Sequence, residues 1–190
     1  FTNQPLSFYL PIGDEVNMVF TKPIRPYFQN QFLPVLYADL WGDYWGYFTF
    51  TSRALDVGRN QLFIGDYLAR VNIVSIFPSL FLLFGLRIGY RSLIKKIKKP
   101  EDYFLIYVFF AIVTSFFGYL WFLISYPVLP TGDTNKATYI IHLFHLLGIL
   151  GIVNLEKIRE KNINNYLYII GALIFVFFHN FSAYMSHFPS

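Results

Sequence analysis

The stretch Tyr103–Tyr126, YFLIYVFFAIVTSFFGYLWFLISY, carries no charged side chain, and the silence continues to Gly132. Roughly 20 apolar residues in helical form cross a bilayer core. A Lys, Arg or Asp at the centre of a span costs about 2.5–3.5 kcal/mol on insertion scales, so an uncharged run of this length is what a membrane selects. A second silent run extends from Asn162 to Ser190. Across the chain 55% of residues are hydrophobic and only 14% charged, against roughly 25% charged in soluble domains. The fold class expected is all-α integral membrane.

Working outward, four spans are expected, at about 67–90, 103–126, 137–155 and 165–186. Orientation follows from Lys and Arg in the short connections. The first connection holds Arg87, Arg91, Lys95, Lys96, Lys98 and Lys99, and the third holds Lys157, Arg159 and Lys161. The second holds only Lys136. The first and third connections should therefore face the cytoplasm of a plasma membrane, with residues 1–66, the second connection and the C-terminal SHFPS extracytoplasmic. The same basic runs could also attract anionic lipid heads.

Residues 1–66 form the other expected domain, preceding the four-helix region 67–190. They contain Pro5, Pro11, Pro23, Pro26 and Pro34, many aromatics and no apolar run long enough to span. Proline interrupts regular helix, so an irregular segment with one or two short helices is expected. The opening FTNQPLSFYLP has no signal-peptide pattern and reads like the interior of a longer protein.

The most distinctive stretch is YADLWGDYWGYF, residues 37–48. It sets Asp39 and Asp43 among Trp41, Trp45 and several tyrosines. Aromatic faces stack on apolar sugar faces, and carboxylates accept hydrogen bonds from hydroxyls. The spacing of the two acids would place both on one helical face. An interfacial aromatic belt with the acids as caps or turn residues explains the same composition. A hard cation needs more oxygen ligands than two carboxylates and the sequence names no third, so a divalent metal is possible but unsupported, and no cofactor is expected.

The segment TGDTNKATY, residues 131–139, enters the third span. A helix N-terminus offers free N–H groups and positive dipole charge, which suit a phosphate, and Lys136 adds a full cation. A capped helix start with Lys136 snorkelling to the interface is the alternative. Arg70 and Asn72 lie at the same expected depth, as do His142, His145, His179 and Asn180. Ionisable groups within spans are functional candidates, although a His pair three residues apart more often bridges helices than binds metal. Gly85 and Gly89 make a GxxxG, a pattern common by chance.

Cysteine is absent, which removes disulfide and thiolate chemistry. P-loop, GxGxxG, GxSxG and HExxH signatures are absent too. Although the net charge is +4, no basic stripe interleaved with aromatics suggests nucleic acid.

The stretch from Arg25-Pro-Tyr-Phe to LYADLWGDYWGYF, the GDTNKATY segment with the following helix to LEKIREK, and the closing HNFSAYMSHFP resemble prokaryotic membrane glycosyltransferase-like proteins. These are related to the dolichyl-phosphate-mannose–protein mannosyltransferases and share the GT-C architecture. The resemblance implies transfer of a sugar from a polyprenyl-phosphate donor to an acceptor on the outer face. It implies a catalytic Asp upstream of this chain, in the N-terminal remainder of the same protein. Asp39 and Asp43 do not inherit that role. Lys136 and Arg70 would hold the donor phosphate. Asp39, Trp41, Asp43, Trp45, Tyr139 and His142 would shape the acceptor side and cavity. A transporter or channel subunit and a non-catalytic membrane scaffold are the alternatives.

Overall fold

The computed structural model describes residues 9, 15–21, 23, 31–43, 60–125 and 137–185. Among these the chain is all helical: α1 (Glu15–Thr21), α2 (Phe32–Trp41), α3 (Asn60–Val74), α4 (Ile76–Ile94), α5 (Pro100–Ser125), α6 (Ile141–Lys161) and α7 (Ile163–Met185). A 3-10 turn, Ala137–Ile140, leads into α6. Four helical stretches are long and apolar enough to cross a membrane: Asp66–Ile94, Pro100–Ser125, Ala137–Lys161 and Ile163–Phe181. At 1.5 Å per residue each is roughly 28–44 Å long, enough for a ~30 Å hydrocarbon core. Their surfaces suit lipid. Trp121 and Phe178 are each 71% exposed and Tyr168 is 77% exposed, and water does not tolerate such large apolar side chains in continuous bands. The protein is a multi-pass membrane protein.

The spans exceed the sequence expectation at several ends. The first helix starts at Asn60, so residues 60–66 are helical instead of part of an irregular segment. It continues past Arg87 and Arg91 to Ile94, and Lys95, Lys96, Lys98 and Lys99 follow the helix end. The third runs to Lys161 instead of ending at 155. Only Asn162 separates α6 from α7. It manages both ends: its N–H donates to the Ile158 carbonyl at 2.8 Å, and its Oδ1 accepts from the N–H groups of Asn164 and Asn165 at 2.9 and 3.2 Å. That is the capping role for which a short polar side chain is favoured.

Between α3 and α4 a single turn residue, Ser75, interrupts the helix. Pro78 accounts for it. Proline brings no N–H, and its ring clashes with the carbonyl four residues earlier, here that of Val74. Ser75 still donates its own N–H to the Val71 carbonyl at 3.0 Å.

The chain divides into two compact units. The first comprises Phe1–Ser75, Trp121–Tyr139 and Phe177–Ser190. In it α1, α2 and α3 pack on one another. Val19, Val35 and Ala38 form the buried centre, with Met18, Phe20 and Tyr37 around them. Phe20 meets Tyr37 edge to face at 6.0 Å between ring centroids.

The second unit comprises Ile76–Leu120 and Ile140–Val176. Here α4 and α6 are in close contact. Small residues allow it: a Cβ on Gly85 would lie 3.0 Å from the Gly151 nitrogen. The connection from α4 to α5 closes on Asp102, which is buried. Its Oδ1 accepts from Ser92 Oγ at 2.8 Å and from Lys95 Nζ at 2.5 Å, and its Oδ2 accepts from the Lys99 N–H at 2.9 Å.

Candidate functional site

The first unit concentrates buried polar groups where α2 and the turn after it meet α3. Helix α2 ends at Trp41. Both following N–H groups, of Gly42 and Asp43, donate to the Ala38 carbonyl, at 2.8 and 2.9 Å. The turn needs a small residue, because a Cβ on Gly42 would meet Leu68 Cδ2 at 3.2 Å and Asn72 Oδ1 at 3.4 Å. This close approach sets the Asp39-Leu-Trp-Gly-Asp43 corner directly against α3.

Asp39 is fully buried, and Asp43 is 1% exposed. Burial of a carboxylate carries a large desolvation cost that only a specific environment offsets, so two within five residues mark the corner as unusual. The sequence expectation of one helical face for both acids does not hold. Asp39 lies on α2, whereas Asp43 follows the helix end, held by a turn that wraps back onto Ala38.

Asn72 is the organiser. Its side chain is fully buried. Its Nδ2 donates to the Val19 carbonyl at 2.8 Å, tying α1 to α3. Its backbone carbonyl accepts from the Tyr37 hydroxyl at 2.7 Å, tying α2 to α3. Its remaining polar atom, Oδ1, is buried without a hydrogen-bond partner, as is Trp41 Nε1. Orphaned buried polar atoms are rare in folded proteins and call for an explanation such as a bound molecule. Here one is a donor and the other an acceptor.

A second polar chain occupies the helix break. Asn180 Nδ2 donates to Ser75 Oγ at 2.8 Å, and Ser75 Oγ donates to the Val71 carbonyl at 2.7 Å. With the Asn180 amide so oriented, His179 donates from Nδ1 to Asn180 Oδ1 at 2.9 Å. The His179 carbonyl lies 3.4 Å from the Tyr67 hydroxyl.

Of the residues singled out in the sequence, Asp39, Trp41 and Asp43 come together in the corner. Arg70 is exposed, and its Nε donates to the Asp66 carbonyl one turn back on its own helix at 3.2 Å. Tyr139 is half exposed. His142 belongs to the second unit and is exposed. Lys136 and Trp45 lie outside the described residues. His145 donates from Nδ1 to the Ile141 carbonyl at 2.8 Å, a bond within its own helix. Among the described residues no three His, Asp or Glu side chains converge as metal ligands would. Sequence reasoning missed Ser75. Its signal was the serine placed three residues before Pro78, where the helix carbonyl ladder has to open.

No family model, curated protein or solved structure matches this chain.

Proposed function

We propose that the chain is part of a membrane glycosyltransferase of the GT-C type, and that the α2–α3 corner binds a sugar or another polyhydroxylic group. The single observation that carries the reading is the pair of orphaned polar atoms, Trp41 Nε1 and Asn72 Oδ1, beside the buried acids Asp39 and Asp43. A hydroxyl both donates and accepts, so a hydroxyl-rich ligand supplies what each atom lacks, while the indole face offers an apolar surface to a sugar ring.

In this proposal the donor is a polyprenyl-phosphate-linked sugar in the bilayer. The acceptor hydroxyl attacks the anomeric carbon, and the bond to the lipid phosphate breaks. Lys136 and Arg70 stabilise the departing phosphate electrostatically. The general base comes from the N-terminal remainder of the same protein. The first unit's corner faces outward from a plasma membrane, as the Lys and Arg pattern of the connections favours.

The test uses the complete protein and a labelled polyprenyl-phosphate sugar, measuring release of polyprenyl phosphate. Trp41→Phe removes the indole N–H together with one of its two rings, and Asp43→Asn keeps the side-chain size while replacing the charge and one acceptor oxygen with an amide donor. Losing a hydrogen bond to a charged group costs about 1.5–3 kcal/mol, so about a tenfold to hundredfold loss of transfer is expected for Asp43→Asn. Unchanged transfer in both variants, with folding intact, overturns the assignment of the corner.

One observation favours a transporter as the second reading. The helix breaks at Ser75, with Asn72, Ser75 and Asn180 all buried around the break, and discontinuous helices with polar linings are characteristic of transport sites. Solute flux into proteoliposomes, without release of polyprenyl phosphate, would select it.

A further inference from the structure

The second unit contains a cavity of about 600 Å³ among α4, α6 and α7. Four cations line it: Arg87 and Arg91 from α4, and Lys157 and Lys161 from α6. We propose that this cavity binds the phosphate headgroup of an anionic phospholipid.

The lining residues follow helical spacing. On α4 they fall at 81, 84, 88 and 91 with 87 beside them, on α6 at 154, 157, 158 and 161, and on α7 at 165 and 169. Steps of three and four residues put each set on one helical face. Three faces therefore converge on one space, and the cations are not a random scatter over an end of the bundle.

No carboxylate lines the cavity. The nearby acids that form ion pairs do so with other cations: Asp102 pairs with Lys95, and Glu156 with Arg159. Among the described residues no ion pair involves Arg87, Arg91, Lys157 or Lys161. Arg87 and Arg91, and Lys157 and Lys161, are like charges four residues apart on one helix, a spacing that is unfavourable by a few tenths of a kcal/mol each. An anion relieves both. The N-terminus of α7 is not the source of the attraction, because Asn162 already caps it.

The rest of the lining identifies an amphiphile. Phe81 and Phe84 lie a turn or two from the cations along α4, in the direction of its uncharged stretch. The space thus runs from a cationic end to an aromatic end on helices that themselves cross the bilayer. Basic pockets between membrane-spanning helices are suited to acidic lipid heads, and the volume lies within the usual range for ligand sites, roughly 300–1,000 Å³. A soluble anion would leave the aromatic part without a function. The four cations are all exposed, so they can be neutralised without loss of core packing.

The experiment titrates the purified full chain in neutral detergent with phosphatidylglycerol, with phosphatidylcholine as the neutral lipid and glycerol 3-phosphate as the soluble phosphate, reading bound lipid by native mass spectrometry. Saturable phosphatidylglycerol binding is expected, with phosphatidylcholine at least tenfold weaker. Each basic residue near an anionic lipid is worth about fivefold in affinity, so Lys157→Gln with Lys161→Gln should weaken binding about 25-fold. Arg87→Gln with Arg91→Gln, on the facing helix, should do the same. Arg159→Gln removes the same charge from α6 outside the cavity and should change affinity less than twofold. Equal binding of the two lipids, a loss in Arg159→Gln as large as in the double variants, or unchanged affinity in both double variants overturns the proposal. Displacement of phosphatidylglycerol by glycerol 3-phosphate at equal concentration overturns it in favour of a soluble phosphate.

Discussion

A methyl group placed on Gly85 would stand 3.0 Å from the backbone nitrogen of Gly151 and equally close to the Leu150 carbonyl carbon. Helices α4 and α6 therefore meet backbone to backbone. Without a hydrophobic driving force between helices in lipid, such close approach is a main source of association.

The substitution Gly85→Ala must push two backbones apart, since neither contact atom belongs to a flexible side chain. Overpacking of this kind costs about 1–3 kcal/mol. Gly148→Ala and Gly171→Ala meet nothing within 4 Å and should be neutral or slightly stabilising. Thermal unfolding in detergent of the three variants checks the contrast. Equal stability of all three would show that α4 and α6 do not touch at Gly85.

Asp102 joins Ser92, Lys95 and the Lys99 N–H in one acceptor site. Asp102→Ala leaves these donors without their common acceptor, and a loss of about 1.5–3 kcal/mol is expected for hydrogen bonds to a charged group. Lys95→Met should cost less, because Lys95 is 48% exposed while Asp102 is 4% exposed, and partly exposed ion pairs contribute about 0–1 kcal/mol. Urea unfolding of the two variants tests the ranking.

Ser75→Ala removes the hydroxyl that receives Asn180 Nδ2 and donates to Val71. Interhelical hydrogen bonds inside membranes average about 0.6 kcal/mol, with a ceiling near 1.7, so a modest destabilisation in that range is expected. Asn180→Leu should cost a similar amount. In a double-mutant cycle the two losses should fall short of additive, which measures the Asn180–Ser75 bond itself.

Asn72→Leu keeps the branched shape and heavy-atom count of the side chain, though its methyl groups are bulkier, and loses the donor to the Val19 carbonyl. That bond is the buried polar tie between α1 and α3, added to their apolar packing, so amide hydrogen exchange in residues 15–21 should accelerate at least tenfold while α4 to α6 remain protected. Uniform acceleration through all helices would instead indicate global destabilisation.

Much of the fold was legible in residues alone. The two long uncharged runs located the second and fourth spans, and apolar stretches between charged connections located the other two, because charge is costly in hydrocarbon whatever the tertiary arrangement. Their ends were less legible: Arg87, Arg91, Lys157 and Lys161 suggested connections, yet they sit on continuing helix, since long cationic side chains at a span's end do not require the backbone to leave it. The Asp39–Asp43 spacing pointed to a helical face, but Gly42 ends the helix in between. The candidate corner was visible as composition, in Asp39, Trp41 and Asp43. Asn72 joins it from a segment 29 or more positions away in the chain, through backbone carbonyls that no side-chain pattern announces.

The amino-acid sequence by itself determined that this protein crosses a membrane with four helices, because burial of charge in lipid is a property of each residue in turn. Only the tertiary structure decided that Gly85 faces Gly151, that Asn72 binds α1 and α2 to α3, and that four separated cations line one cavity. Each of these depends on distances between helices, and those distances follow from packing among residues far apart in the chain.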